Sequence, residues 1–140
     1  FDHLNGSRFT LLLFITVWMT DSAAYFIGNA FGRTKMIESI SPKKTIEGFI
    51  GGCFGSLFCV SIFNSFEVLN YSLSTFQIIL ISILIGIFGQ LGDFFESMIK
   101  RNYKIKDSSN LLLGHGGFLD RFDSIIISSP LIFIFLRFIS

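Results

Sequence analysis

FQIILISILIGIFGQLGDFFESMI, running from Phe76 to Ile99, stays uncharged until Asp93. A bilayer core of roughly 30 Å takes about 20 consecutive apolar residues as a helix, and this run has that length. It is continuous rather than alternating, so a helix is expected and not a barrel strand, because backbone in lipid must satisfy its own hydrogen bonds. Three other runs share the pattern: Phe9 to Ala30, broken only by Asp21; Gly48 to Phe66, without charge; and Ser124 to Ile139, shorter, with Pro130 and Arg137 inside it. The fold class expected is all-α: a polytopic membrane helical bundle of about four transmembrane helices, with spans near 9–30, 48–66, 76–99 and 124–139 in a single membrane domain over 1–140. Pro130 is expected to kink the fourth span.

Composition agrees, since 51% hydrophobic residues and 19 Phe in 140 are poor numbers for a soluble globule. The formal charge of +1 hides a segregation. Nine of the eleven basic residues fall in two connections: Arg33, Lys35, Lys43 and Lys44 between the first two spans, and Lys100, Arg101, Lys104, Lys106 and Arg121 between the last two. With four spans these loops share one side, while Asn70 to Thr75 on the other is uncharged, and the positive-inside rule assigns both basic loops to the cytoplasm. The chain opens on FDHLNGSR with no basic segment and cleavable apolar stretch, so no signal peptide is expected and the chain reads as a piece of a longer protein. Cys53 and Cys59, six apart in an apolar run, suit neither a zinc knuckle nor a disulfide framework and are expected to be buried, inert thiols. Gly28-x-x-x-Gly32, Gly48-x-x-x-Gly52 and Gly51-x-x-x-Gly55 line up small residues where helices can approach closely.

The charged residues carry the functional reading. Asp93 lies six residues before the end of the third span, within or near the hydrocarbon, where a lone carboxylate is costly. Gln90, Asp93, Glu96 and Lys100 recur at steps of three and four, forming one polar stripe that must face protein, metal or water. Asp120 and Asp123, three apart at the start of the fourth span, share a face if that helix begins near Phe118, and can then meet Asp93. Three clustered carboxylates repel unless a divalent cation such as Mg²⁺ or Mn²⁺ neutralises them. Salt bridging with Arg101 and Arg121, or a proton relay, are the alternatives. Gly114, Gly116 and Gly117 around His115 make either a phosphate cradle or a plain tight turn. Lys43 and Lys44 of SPKKTIEG either grip phosphate or meet anionic head groups. Asp21 shares a small and polar face with Ser22, Tyr25, Gly28 and Asn29 and is expected to point into the same cavity.

These residues resemble the phosphatidate cytidylyltransferases, or CDP-diacylglycerol synthases. The family signature is Ser-x-x-Lys-Arg, four residues, Lys-Asp, then a spacer to His-Gly-Gly-x-x-Asp-Arg-x-Asp. Ser97, Lys100, Arg101, Lys106, Asp107, His115, Gly116, Gly117, Asp120, Arg121 and Asp123 match it. The resemblance extends through GQLGDFFES (Gly89 to Ser97), SPKKTIEGFIGG (Ser41 to Gly52) and DSAAYFIGNAFGRTK (Asp21 to Lys35). One departure is Leu113, where the family usually has Pro. Family proteins are longer, so the chain resembles their carboxy-terminal, catalytic half.

The resemblance implies transfer of CMP from CTP to phosphatidate, with Mg²⁺ required and K⁺ beside it. It also implies an integral membrane enzyme of a bacterial cytoplasmic or an organellar membrane, with its active site on the cytoplasmic side. By the same resemblance Asp93, Asp120 and Asp123 are metal ligands, and with Lys100 and Arg101 they form the catalytic set. Lys43, Lys44, Ser97, Lys106, His115, Gly116, Gly117, Arg121 and Asp21 are assigned to substrate. Expected partners are CTP, phosphatidate, membrane lipid and a second copy in a homodimer, the last from the family and the glycine faces; no nucleic-acid partner is expected. Three other readings stay open: a relative acting on another lipid phosphate, an ion or proton transporter with an acidic intramembrane relay, and an inactive scaffold. The Asp-Gly-x-x-Ala-Arg pattern of the CDP-alcohol phosphatidyltransferases is absent.

Overall fold

The computed structural model describes residues 3–38, 40–69, 72–103 and 123–139. Among them are α1 (His3–Phe31), α2 (Ile46–Ser65), α3 (Thr75–Ile83), α4 (Gly89–Asn102) and α5 (Asp123–Ile139), with a π-helical turn, Leu84–Phe88, between α3 and α4. α3, the turn and α4 make one continuous rod, Thr75–Asn102, and this rod, α2, and α1 from Gly6 to Phe31 are each long and apolar enough to cross a bilayer. α5 is shorter in its apolar part, Ser124–Ile134, and holds Pro130 within the helix. The all-α helical membrane bundle expected from hydropathy is therefore what the chain forms. Among the described residues the β-structure is a single isolated antiparallel bridge, Lys35 to Thr45.

Two of the helices outrun the spans read from hydropathy. α1 starts at His3 and not at Phe9, and the rod runs on to Asn102, so Lys100 and Arg101 belong to the last turn of α4 and not to a loop. Charge ends an apolar run without ending a helix, and cations near a helix C-terminus are favoured by its negative end. True ends are marked by caps. The Thr45 hydroxyl accepts from Gly48 N at 3.2 Å at the start of α2. Ser74 and Gln77 form a reciprocal capping box at the start of α3.

α1 and α2 pack most extensively, along a seam of glycines. A Cβ on Gly48 would lie 2.7 Å from the Ala24 carbonyl oxygen and 3.1 Å from the Gly28 Cα, and one on Gly55 would lie 2.6 Å from the Ala23 Cβ. The small-residue spacings thus mark real close approaches. Gly52 and Gly86 serve the next interface, where a Cβ would meet Gln90 and Ser56 respectively. The glycine faces are consequently filled within one chain, which removes them as an argument for a homodimer.

The apolar core lies in the half of the bundle away from the basic loop. It is built from Phe9, Leu12, Leu13 and Val17 of α1, Val60 of α2, Leu69 and Leu73 of the α2–α3 connection, Ile81, Ile85 and Ile132. Asn64 holds that connection in place by accepting from Leu73 N at 2.6 Å. Large apolar side chains such as Phe26, Phe54, Phe58 and Phe133 remain exposed on outer faces, as lipid-facing surface requires. Cys59 is buried and Cys53 half-buried, both as free thiols.

Candidate active site

The α1–α2 loop is pinned back on itself. Met36 N donates to the Lys44 carbonyl at 3.1 Å and Ile46 N to the Thr34 carbonyl at 3.0 Å, while Thr34 N meets both carboxylate oxygens of Glu47, at 3.1 and 3.2 Å. These bonds bring Lys35 alongside the Lys43–Lys44 arm. An open cavity of about 810 Å³ lies between an exposed face of α1 (Trp18, Asp21, Tyr25, Asn29), the three lysines, and Gln90, Asp93 and Phe94 of α4, with Ser124 of α5 also lining it.

The Lys44 ammonium is 2.6 Å from Asp93 Oδ2 and 6.0 Å from the centre of the Phe94 ring. Asp93 is nine residues from the end of α4 and Asp21 ten from the end of α1, so each lies roughly 14–15 Å down its helix at 1.5 Å per residue. The cavity therefore has loop lysines at one end and acids further down α1 and α4, with the Lys44 ammonium reaching to the depth of Asp93. That polarity suits an anion entering from the loop side with cations held below it.

The polar stripe of α4 faces protein. Gln90 Nε2 donates to the Gly86 carbonyl at 2.7 Å and to the Phe49 carbonyl of α2 at 3.1 Å; Asp93 takes Lys44; Glu96 is buried, with Lys100 3.6 Å away. Arg101 Nε reaches the Ile40 carbonyl at 3.4 Å, joining the end of α4 to the first basic loop. The observed partner of Asp93 is thus Lys44 and not Arg101. Of the expected site residues, Asp21, Lys43, Lys44 and Asp93 come together in the cavity. Ser97 is half-buried on α4 and, like Lys100 and Arg101, is not part of the cavity wall. Lys104, Lys106, Asp107, Gly114, His115, Gly116, Gly117, Asp120 and Arg121 lie outside the described residues, and Asp123 enters only as the first residue of α5. Among the described residues no three acidic, His or Cys side chains are close enough to hold a metal.

The sequence profile of the cytidylyltransferase family matches residues 2–139. This chain belongs to the cytidylyltransferase family. The phosphatidate cytidylyltransferase of Bacillus subtilis (strain 168) is 42% identical over 135 residues, covering 96% of this chain and 49% of that protein. Its namesake in Staphylococcus haemolyticus (strain JCSC1435) is 47% identical over 132 residues, 94% of this chain and 50% of that protein. A third, from Staphylococcus aureus (strain COL), is 43% identical over 131 residues with the same coverage, 94% and 50%. The chain spans about half the length of the curated relatives it matches. Membership of the cytidylyltransferase family leaves the transporter alternative without support.

Two cavity residues of this cytidylyltransferase-family chain were not singled out by sequence, Lys35 and Ser124, and neither was Glu47 as the clasp of the loop. Lys35 reads as an ordinary loop cation until the bridge to Thr45 folds it back, and no local spacing encodes that bridge. Glu47→Ala removes the acceptor of Thr34 N. That bond is charge-assisted and ties the loop to the start of α2, so trypsin cleavage after Lys35 and Lys43 in detergent is expected to speed up. Unchanged cleavage would show that Glu47 does not hold the loop closed.

Proposed function

We propose that the full-length protein transfers CMP from CTP to phosphatidate, giving CDP-diacylglycerol and pyrophosphate. The observation that carries this reading is the Lys44–Asp93 pair, 2.6 Å apart in a cavity lined by three lysines and by intramembrane acids. A nucleoside triphosphate brings several negative charges from water, and a lipid phosphate brings its own from the leaflet. Lys35, Lys43 and Lys44 line the cavity, which supports their use in holding these charges. An oxygen of the phosphatidate phosphate attacks the α-phosphorus of CTP, the bond to the bridging oxygen breaks, and pyrophosphate leaves with that oxygen. Such a transfer is governed by positioning and charge and needs no covalent nucleophile.

The donor chemistry fits Mg²⁺. Asp93 Oδ2 already holds a cationic group at 2.6 Å, and carboxylate oxygens are the donors this ion prefers. By the family resemblance Asp120 and Asp123 would complete the set with Asp93. When bound, the ion supplies charge neutralisation at the transferring and leaving oxygens. Asp21, on the opposite wall, keeps the lower cavity polar. The basic loops are assigned to the cytoplasmic face by their lysines and arginines. A homodimer is inferred from the resemblance alone, with the outer apolar faces of α1 and α2 available for it.

The test is formation of labelled CDP-diacylglycerol by the full-length protein in detergent, from CTP and phosphatidate with Mg²⁺. Product that EDTA abolishes is the expected result. Product from a different lipid phosphate only would transfer the proposal to that substrate. No product from folded protein with any of several lipid phosphates would overturn it.

A further inference from the structure

We infer that Ser56 and Gln90 are positioning residues: they fix the π-helical turn at Leu84–Phe88 and through it aim Asp93 at the cavity. The inference rests on the reading of Asp93 as a site residue. A π turn pairs amides five residues back instead of four, so carbonyls at its edges lose their usual partners, and in a membrane no water replaces them. Both edges here are covered by side chains. The Ser56 hydroxyl of α2 lies 2.9 Å from the Ser82 carbonyl at the entrance, as well as 2.8 Å from the Cys53 carbonyl of its own helix. The Gln90 amide donates to the Gly86 carbonyl within the turn, at 2.7 Å, and its second proton goes to Phe49 O on α2.

Glycines make room for both braces. A Cβ at Gly86 would lie 2.6 Å from Ser56 Oγ, and one at Gly52 would lie 2.7 Å from Gln90 Nε2. Residues four apart on a regular α-helix drift by roughly 40° per step. Ser82, Gly86 and Gln90 all meet α2, and the slower rotation of the π turn keeps the three on a narrower stripe than a regular α-helix would. One residue of α-helix is worth roughly 100° of rotation. Straightening the turn would therefore swing Asp93 off the cavity and bring Gly92, now buried, into its direction. The motif LIGIF has no polar residue of its own to hold this geometry, so the hold must come from α2 and α4.

Direction can be read without activity. In the full-length protein in detergent, Asp93→Cys or Gly92→Cys is labelled with a charged thiol reagent, and modification is followed by mass spectrometry at that peptide. With both braces intact, the thiol at 93 is expected to react and the one at 92 to be protected. With Ser56→Ala and Gln90→Leu together, labelling at 93 is expected to fall at least tenfold and labelling at 92 to rise. Deleting Ile87 in that background removes the extra residue and is expected to restore labelling at 93, a rescue that general loss of packing does not give. Gly52→Ala, which displaces Gln90 while keeping every polar group, is the milder variant should the double substitution fail to fold. Equal labelling at 93 with and without the braces, or no rescue by the deletion in folded protein, would overturn the inference. Either result leaves the activity assay, and so the proposed function, independently decided.

Discussion

Replacing Asp93 with Asn in the full-length protein is expected to slow CDP-diacylglycerol formation by about 10²–10³-fold, the usual scale for removing one electrostatic element aimed at a transferring group. Asn has nearly the same shape, so the cavity should keep its outline. Stability should change little, because the Lys44 and Asp93 side chains are 28% and 38% exposed and such pairs contribute about 1 kcal/mol or less. Initial rates of CMP transfer, with size-exclusion profiles and melting curves for both proteins, separate chemistry from folding. A bland account of Asp93 makes it only the counter-ion of Lys44. On that account Lys44→Gln combined with Asp93→Asn regains activity, since neither group is then left uncompensated. On the proposed account the double variant stays inactive, because the cavity has lost both its cation-holding carboxylate and a phosphate-holding lysine. Full activity in Asp93→Asn alone would remove Asp93 from the site altogether.

How far the sequence could carry this depended on the range of the interaction concerned. Spans were legible because the hydrocarbon imposes a length on any apolar helix, and the glycine spacings correctly marked the α1–α2 seam. Both overruns, at His3 and Asn102, came from taking a charge for a helix end. The stripe of Gln90, Asp93 and Glu96 was visible as periodicity, yet periodicity names a face and not a partner. Lys44 is forty-nine residues from Asp93, and only the packing of the loop over α4 brings them to 2.6 Å. The π turn left no trace, since LIGIF is as good an α-helix as it is a π-helix until Ser56 and Gln90 reach its carbonyls. The family resemblance was legible at the cavity too: Asp21–Lys35, Ser41–Gly52 and Gly89–Ser97 supply most of its described lining, while residues 104–122 of the signature lie outside the described residues.

The largest loss of stability is expected from Gly48→Leu. The obstruction at Gly48 is backbone: the Ala24 carbonyl oxygen at 2.7 Å and the Gly28 Cα at 3.1 Å from an added Cβ, with the Thr45 hydroxyl also at 3.1 Å. A side-chain neighbour could rotate aside, but these atoms can yield only if α1 and α2 separate. Overpacking of this kind costs about 3 kcal/mol, and membrane helices held by close contact have no large hydrophobic term with which to recover it. The same displacement shifts Thr45, which caps α2, and with it the Lys43–Lys44 arm over the cavity. Gly48→Leu is therefore expected to lower the melting temperature by several degrees in a thiol-dye assay that reads exposure of Cys53 and Cys59, and to abolish CMP transfer in the protein that remains folded. Phe54→Leu, at a side chain 66% exposed on the outer face of α2, is the control and should leave both quantities unchanged. A Gly48→Leu protein that melts like its parent would mean that α1 and α2 do not meet at this glycine, and the cavity wall drawn from Asp21 to Asp93 would have to be redrawn with them.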